Sequence, residues 1–393
     1  MPGKLVSRIW QSDPALYAPA KHKRACRYEA FIPDGLADGL QINAMVSGII
    51  SDAEREIREL NDHGGATLAP FARLLLRTES IASSKVEGMQ LGVRELARAE
   101  ARVESGMSVG STAVEVLANI EAMSLAIDDA SDADAFGEEQ LRAIHRRLLE
   151  RTAHQSIAGK VRETQNWIGG NDYNPCGADF VPPPPEDVPR LLQDLYRAIN
   201  DESLSPLVQA ALVHAQFETI HPFDDGNGRT GRALIHVVLK RRGIAPRFIP
   251  PISLVFARAK DRYIAGLTRF REDGVVEWIE QFAVATVQSA RIARSYLDDI
   301  RELQEGWRER LRSSGLVLRS DAAAWAIIDL LPAHPMISAP VAAATIDRAR
   351  SRVYEAMSQL VEAGVLLPLS EGKRNRWWEA AGLLEVIGRV EGA

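Results

Sequence analysis

Gly226, Gly228 and Gly231 fall in the spacing G-x-G-x-x-G, but their surroundings rule out the fold that this spacing announces. The dinucleotide-binding fingerprint needs an apolar strand directly before it and a βαβ unit around it. Here the polar run His221-Pro222-Phe223-Asp224-Asp225 comes first, and both flanks carry helical spacing. One helix is expected over about Pro206–Glu218 and another over Arg229–Arg242, closed by Gly243. The same periodicity extends in both directions. From Ile42, INAMVSGIISDAEREIREL places apolar residues three and four apart beside a charged face. Pro70, a favoured first-turn residue, opens a helix that Gly88 stops. Val93–Val103, Ser111–Ile127, Gly137–Arg151, Lys260–Phe270, Val276–Tyr296 and Leu297–Leu311 continue the pattern. A mainly α-helical chain is expected.

The exceptions are local. Residues 1 to about 45 read as irregular, with Pro14, Pro19 and Pro33 among scattered charges. Residues 162–177 (RETQNWIGGNDYNPCG) crowd turn formers around Trp167 and Ile168, which predicts a short β-hairpin flap. Pro182–Pro185 predicts an extended connector. From about Leu316 the order changes to helices over Asp321–Leu331, Pro340–Ile346 and Asp347–Ala363, then strands over Val365–Leu369 and Arg374–Glu379. That is the layout of a winged helix-turn-helix. Three sequential parts are therefore expected: 1–106, 107–315 and 316–393.

A chain of 393 residues is long enough for two or three domains. Its 47 basic and 53 acidic residues give −6, so nothing attracts nucleic acid globally. Arg348, Arg350 and Arg352 at one helix start, with Lys373, Arg374 and Arg376 on the wing, form a local basic surface that could contact DNA phosphates, while a wing can equally serve as a dimer or partner module. Two cysteines, Cys26 and Cys176, are too few for a disulfide framework or a zinc cluster. The opening residues MPGKLVSRIWQSD lack the apolar core of a secretory signal, and no apolar run approaches the roughly 20 residues of a membrane span. A reducing cytoplasm is expected.

The segment HPFDDGNGRTGR, His221–Arg232, has a chemistry of its own. Gly226-Asn227-Gly228 can aim successive backbone N–H groups into one concavity, an anion nest, at the start of the helix near Arg229. Arg229 and Arg232 lie three apart on one helix face, and guanidinium forks match phosphate oxygens. Asp225 stands where a carboxylate can ligate Mg²⁺ alongside phosphates. His221, with a reference pKa of about 6.5, suits a general base. Phe223 is expected to point inward and anchor the loop.

At these residues the sequence resembles the Fic (filamentation induced by cAMP) family, whose signature is H-x-F-x-[DE]-G-N-G-R-x-x-R. His221, Phe223, Asp225, Gly226, Asn227, Gly228, Arg229 and Arg232 meet every specified position. AALVHAQFETIHPF, the WIGG segment Trp167–Gly170 and FVPPPP at Phe180–Pro185 also resemble bacterial members. The resemblance implies a Fic-type helical bundle that transfers AMP from ATP to a Tyr, Thr or Ser hydroxyl of a target protein, or of itself. His221 would take the hydroxyl proton, Asp225 would ligate Mg²⁺, and Gly226 to Arg232, Thr230 and Gly231 included, would bind ATP, Arg232 clamping the γ-phosphate. In a branch that transfers phosphate, a lysine stands at the position of Gly228; glycine favours AMP transfer. Trp167, Ile168 and Gly169 would form the flap that docks the target. Tyr263 resembles the family's nucleotide-side aromatic, with core packing as its alternative.

Upstream, SSKVEG at Ser83–Gly88 resembles the family's inhibitory motif [ST]-x-x-x-E-[GN], with Ser83, Glu87 and Gly88 at the specified positions. Glu87 delivered to Arg232 would compete with the γ-phosphate and misplace the α-phosphate, a displacement worth about 10²-fold in rate. The resemblance thus implies an autoinhibited adenylyltransferase, and a homodimer at the family level. Two other readings stand beside it: removal of AMP with Glu87 aligning water, and a DNA-binding regulator whose core senses nucleotide.

Overall fold

Helices dominate, as the spacing predicts. The computed structural model describes residues 3–36, 40–62, 69–104, 106–369 and 376–392. Strands β1 (Gly3–Trp10) and β2 (Cys26–Pro33) come first. Then follow α1 (Ala44–Asp62), α2 (Ala69–Val86), α3 (Val93–Glu104), α4 (Ser111–Leu125), α5 (Glu138–Leu149) and α6 (Val188–Asn200). Next are α7 (Pro206–Ile220), α8 (Asn227–Arg241), α9 (Ile252–Arg258), α10 (Lys260–Arg271) and α11 (Val275–Ser313). The last stretch holds α12 (Ala323–Leu330), β3 (Met336–Ser338), α13 (Ala339–Thr345), α14 (Arg350–Glu362), β4 (Leu366–Pro368), β5 (Trp377–Ala380) and α15 (Leu383–Gly392).

Two local expectations are corrected. The N-terminal region is not irregular: β1 and β2 pair antiparallel from Gly3↔Pro33 to Trp10↔Cys26. Residues 11–25 between them lack the two-residue turn that marks a hairpin in sequence. The two helices expected over 276–311 are one 39-residue helix, α11, because no glycine or proline falls at the Tyr296-Leu297 junction to end the first. The cysteines, too few for a framework, still make one disulfide, Cys26–Cys176, with Cα atoms 6.2 Å apart.

Contacts divide the chain into two discontinuous units, where the sequence suggested three consecutive parts. The first comprises Met1–Arg55, Glu121–Ile244 and Ala259–Ala285; the second comprises Glu56–Ile120, Ala245–Arg258 and Thr286–Ala393.

The first unit is built on α7 and α8. Every residue of α7 from Leu207 to Ile220 is buried, so its surroundings rather than amphipathic spacing hold it. Trp278 lies fully buried beside it and donates its indole N–H to the Ala211 carbonyl at 2.8 Å. The two helices meet at Gly231, where a Cβ would lie 2.5 Å from Glu218 Oε1 and 2.9 Å from Phe217. Glycine is what lets α8 approach this closely.

In the second unit the later part of α11 contributes Trp307 and Leu311 to a core shared with Ile327, Val353, Trp378 and Leu383. Its three short strands pair in the order β3-β5-β4, both pairs antiparallel. Strand β3 escaped the sequence reading because three residues carry too little alternation to register. Helix α2 is packed through polar groups. Glu79, fully buried, accepts the Ser253 backbone N–H at 2.8 Å, and Arg77 pairs with Glu100 at 3.1 Å and Glu391 at 3.7 Å.

Candidate active site

His221 ends α7 in the left-handed conformation, with φ 49° and ψ 60°. A side chain with a Cβ takes that conformation at a cost of about 1–2 kcal/mol, so the surroundings must hold it there. Arg162 does much of this. Its Nε donates to the His221 carbonyl at 2.8 Å, and its other nitrogens donate to the carbonyls of Thr164 (2.9 Å), Pro183 (2.6 Å) and Ile220 (3.4 Å). Burial draws the guanidinium pKa down to about 10, which leaves it charged at neutrality. Asn166 adds Nδ2 donations to the carbonyls of His221 (3.2 Å) and Phe223 (2.9 Å).

Phe223 is fully buried and anchors the loop as expected. Asn227 staples across it: the Phe223 N–H donates to Asn227 Oδ1 at 2.9 Å, and Asn227 Nδ2 donates to the Phe223 carbonyl at 2.8 Å. On the other side His145, from α5, stacks on the Phe223 ring with centroids 3.6 Å apart. His145 Nδ1 accepts the Gly159 N–H at 2.9 Å, so its proton sits on Nε2 and is donated to the Asp225 carbonyl at 2.9 Å. Gly226 then turns the chain with φ 77°, and a Cβ there would meet Leu148 at 3.0 Å. Helix α8 begins at the next residue, its first N–H groups facing the turn.

The motif residues divide into an open rim and a buried frame. His221, Asp225 and Gly228 are partly exposed, and Asp224 is exposed. The Asp225 carboxylate keeps 43% of its surface and lies 3.6 Å from the buried Arg229 Nη2. Arg229 and Arg232 are buried at 2% and 1% exposure, on one face of α8 as their spacing predicts. Three residues expected at the nucleotide also belong to the frame. Asn227 is the staple, Thr230 is fully buried, and Gly231 is the α7–α8 contact. Tyr263 is also in the core, 4% exposed, with its hydroxyl 2.9 Å from His214 Nε2 and its ring against Trp278.

The flap is a single bridge rather than two strands. Ile168 pairs with Phe180, beyond the expected end at residue 177, through Ile168 N–H to Phe180 O at 2.8 Å and Phe180 N–H to Ile168 O at 3.1 Å. Gly169 sits at φ 74°, where a Cβ would collide with Asp179. Trp167 is partly buried, its indole N–H on the Asn171 carbonyl, and Ile168 is 39% exposed.

Ser83, Glu87 and Gly88 lie in the second unit. Ser83 is buried in the last turns of α2, and Glu87 is exposed just past its end. Gly88 closes the helix at φ 85°, and the Met89 N–H returns to the Ser84 carbonyl at 3.1 Å.

Sequence reasoning passed over Arg162, Asn166 and His145. Arg162 and Asn166 stand in a turn-rich run where no period marks burial. His145 left a trace, since it shares the helical stripe of Leu141, Ile144 and Leu148.

Two buried histidines make the unit acid-sensitive. Burial lowers the pKa of His145 to about 4 and, with Arg232 adding to it, that of His214 to about 3. Both stay neutral in the fold and bind a proton on unfolding below about pH 6.5. Stability is therefore full above that pH and falls as pH drops toward 4, by about 1.4 kcal/mol per unit for each histidine. Urea unfolding between pH 7 and 4.5 is expected to show this slope, and His145→Gln is expected to remove about half of it.

Residues 135–239 match the Fic/DOC family, and residues 49–128 match the Fic/DOC family N-terminal region. Protein adenylyltransferase fic-1 of Caenorhabditis elegans is 26% identical over 238 residues, which are 58% of this chain and 45% of that protein. A probable protein adenylyltransferase of Aquifex aeolicus is 28% identical over 227 residues, 55% of this chain and 61% of that protein. The match thus spans less than two thirds of either relative. A Fic family protein from Desulfovibrio desulfuricans G20 shares the fold at a TM-score of 0.54 and 20% identity, covering 88% of this chain and 98% of that one. A Fic domain containing signaling protein from Bacteroides thetaiotaomicron does so at 0.51 and 21%, over 63% of this chain and 95% of that one. Two segments of this chain, residues 135–239 and 49–128, are thus similar to the Fic/DOC family and to its N-terminal region.

Proposed function

We propose that the chain is a protein adenylyltransferase whose AMP transfer is run by the turn His221–Arg232. The observation that carries this reading is the rigid loop between α7 and α8, which fixes a partly exposed histidine at the mouth of a helix N-terminus backed by two arginines. His221 takes the proton of a target hydroxyl. The hydroxyl oxygen attacks the α-phosphorus of ATP, and the bond to pyrophosphate breaks. The N–H groups opening α8, with Arg229 and Arg232, receive the phosphates. The half-exposed carboxylate of Asp225 suits a divalent cation that takes one carboxylate plus phosphate oxygens. Mg²⁺, when bound there, neutralises phosphate charge. Relatives named as protein adenylyltransferases support the same reading.

The resting protein is held back by Glu87 competing for Arg232, supported by the motif Ser83–Gly88 and by its position at the end of α2. Glu87→Gly is expected to raise incorporation of label from α-labelled ATP into protein by about 10²-fold. Unchanged incorporation in Glu87→Gly would count against the inhibition; AMP removed from modified protein by wild type but not by Glu87→Gly would instead favour net AMP removal. The proposed compartment is the cytoplasm; among the described residues no helix is long and apolar enough to cross a membrane.

A DNA-binding role for the C-terminal part has one observation in its favour. The order α12, β3, α13, α14, β4, β5 supports the winged-helix reading, and Arg348, Arg350, Arg352 and Arg376 are exposed. Lys373 and Arg374 lie outside the described residues. Mobility shift of duplex DNA by the full chain tests this, with a salt dependence expected if phosphates are contacted.

A further inference from the structure

The N-terminal hairpin has two differently packed ends. Near its base, Ala30 and Ile32 of β2 are buried and Gln216 of α7 donates to the Asp34 carbonyl at 2.9 Å. Most of β1 faces solvent, with Leu5 and Ile9 more than half exposed. The far end is the cross-strand pair Trp10↔Cys26, and both members of that pair reach the flap. The Trp10 ring meets Trp167 edge-on at 5.6 Å, and Cys26 is joined to Cys176. Neighbouring contacts repeat the connection. Asn174 Nδ2 donates to the His22 carbonyl at 3.0 Å, His22 and Tyr173 rings lie 5.2 Å apart, and the Phe31 N–H donates to the Val181 carbonyl at 2.9 Å.

The flap itself is slight. One bridge, Ile168 to Phe180, joins its arms, and two glycines at positive φ follow Ile168. So small a piece of sheet is marginal without further support. The hairpin supplies that support from outside the catalytic loop, at a point 150 residues away in sequence.

We propose that the hairpin is a splint for the target-docking flap, with Trp10 as a positioning residue and the Cys26–Cys176 bond as a thiol-sensitive tie that sets how well the protein target is held. The proposal rests on the reading that residues 167–169 dock the target. Both cysteines are partly exposed, so a reductant can reach the bond. A dithiol's thiolate attacks one bridge sulfur and the Cys26–Cys176 bond breaks. The dithiol's second sulfur then closes its own disulfide, leaving Cys26 and Cys176 as thiols. The released flap must be ordered afresh each time a target binds, and that cost falls on target affinity and not on nucleotide affinity.

The test compares the full chain oxidised, reduced with dithiothreitol, as Cys26→Ser and as Trp10→Ala, all carrying Glu87→Gly. Two quantities are read: hydrogen exchange at the Ile168 amide, and α-label transfer to a tagged His221→Ala full chain at graded concentration. Reduction, and each substitution, is expected to speed Ile168 exchange and to raise the KM for the protein acceptor about tenfold, with the KM for ATP within about twofold. Trp10→Phe is expected to retain the oxidised values. Unchanged Ile168 exchange on reduction overturns the tie. Faster exchange with an unchanged acceptor KM overturns its role in docking. Absence of transfer by every form counts against the transferase reading, and the exchange measurement still decides the tie.

Discussion

His221→Ala, made in the Glu87→Gly chain, is expected to lower AMP transfer by about 10²–10⁴-fold, the span typical of losing a positioned general base. What the frame grips is the His221 backbone: Arg162 and Asn166 both bond its carbonyl, and its N–H bonds the Phe217 carbonyl at 2.9 Å. Deleting the side chain leaves those bonds in place, and Phe223, Asn227 and His145 go on shaping the turn. A large loss of rate is therefore expected with unchanged ATP affinity and a melting temperature near that of the parent. Initial rates with α-labelled ATP, read beside a thermal melt, separate chemistry from folding. A variant that keeps more than about a third of the parent rate removes His221 from the role of base, since even a weak general base contributes about 10²-fold.

Arg162→Ala is expected to act on both stability and rate. The guanidinium donates to four carbonyls around the turn, those of Thr164, Pro183, Ile220 and His221, while itself only 3% exposed. Its removal leaves buried carbonyls without those donors, at about 1–3 kcal/mol for each group left unsatisfied. A total loss of about 3 kcal/mol is expected after the loop relaxes and water enters. Transfer is expected to fall about 10²-fold as well, because the left-handed His221 loses its main clamp and a displacement of about 1 Å at the base has that effect. Arg162→Lys keeps the charge but replaces a planar fork with one point donor, so it is expected to recover part of the stability and little of the rate. Chemical denaturation and single-turnover transfer, measured on both variants, check the two halves. A loss confined to stability, with the folded fraction fully active, would show that the clamp on the His221 carbonyl is irrelevant to catalysis.

The parts of the site that were legible from sequence are those whose chemistry is carried by residue type at fixed spacing. Gly226 could be read as part of a turn, Arg229 and Arg232 as one helix face, and Phe223 as an inward anchor, because each follows from local geometry. The helices were legible for the same reason: a 3.6-residue period is a local signal. What escaped depends on partners far away in the chain. Arg162 is a positioning residue only because residues 183 and 220–221 present their carbonyls to it. His145 looks like any apolar-face histidine until Phe223 stacks on it. Strand β1 shows no one-sided hydrophobic pattern because most of it faces solvent, and its pairing with β2 spans a long connection. The cysteines illustrate the same limit: a count of two bounds a framework, but only the fold brings Cys26 and Cys176 together. Tyr263 shows an open case: two roles were legible for it, and its side chain packs against His214 and Trp278.

The central claim, that the turn His221–Arg232 moves AMP and not phosphate onto protein, is tested most directly by the position of the label. Glu87→Gly full chain is incubated with cell lysate and Mg²⁺, in one arm with α-labelled ATP and in the other with γ-labelled ATP, each beside the Glu87→Gly/His221→Ala chain. The account predicts protein-bound label from the α-position, none above background from the γ-position, and loss of the α-label with His221→Ala. Protein-bound γ-label that depends on His221, or no His221-dependent label from either position, would contradict it.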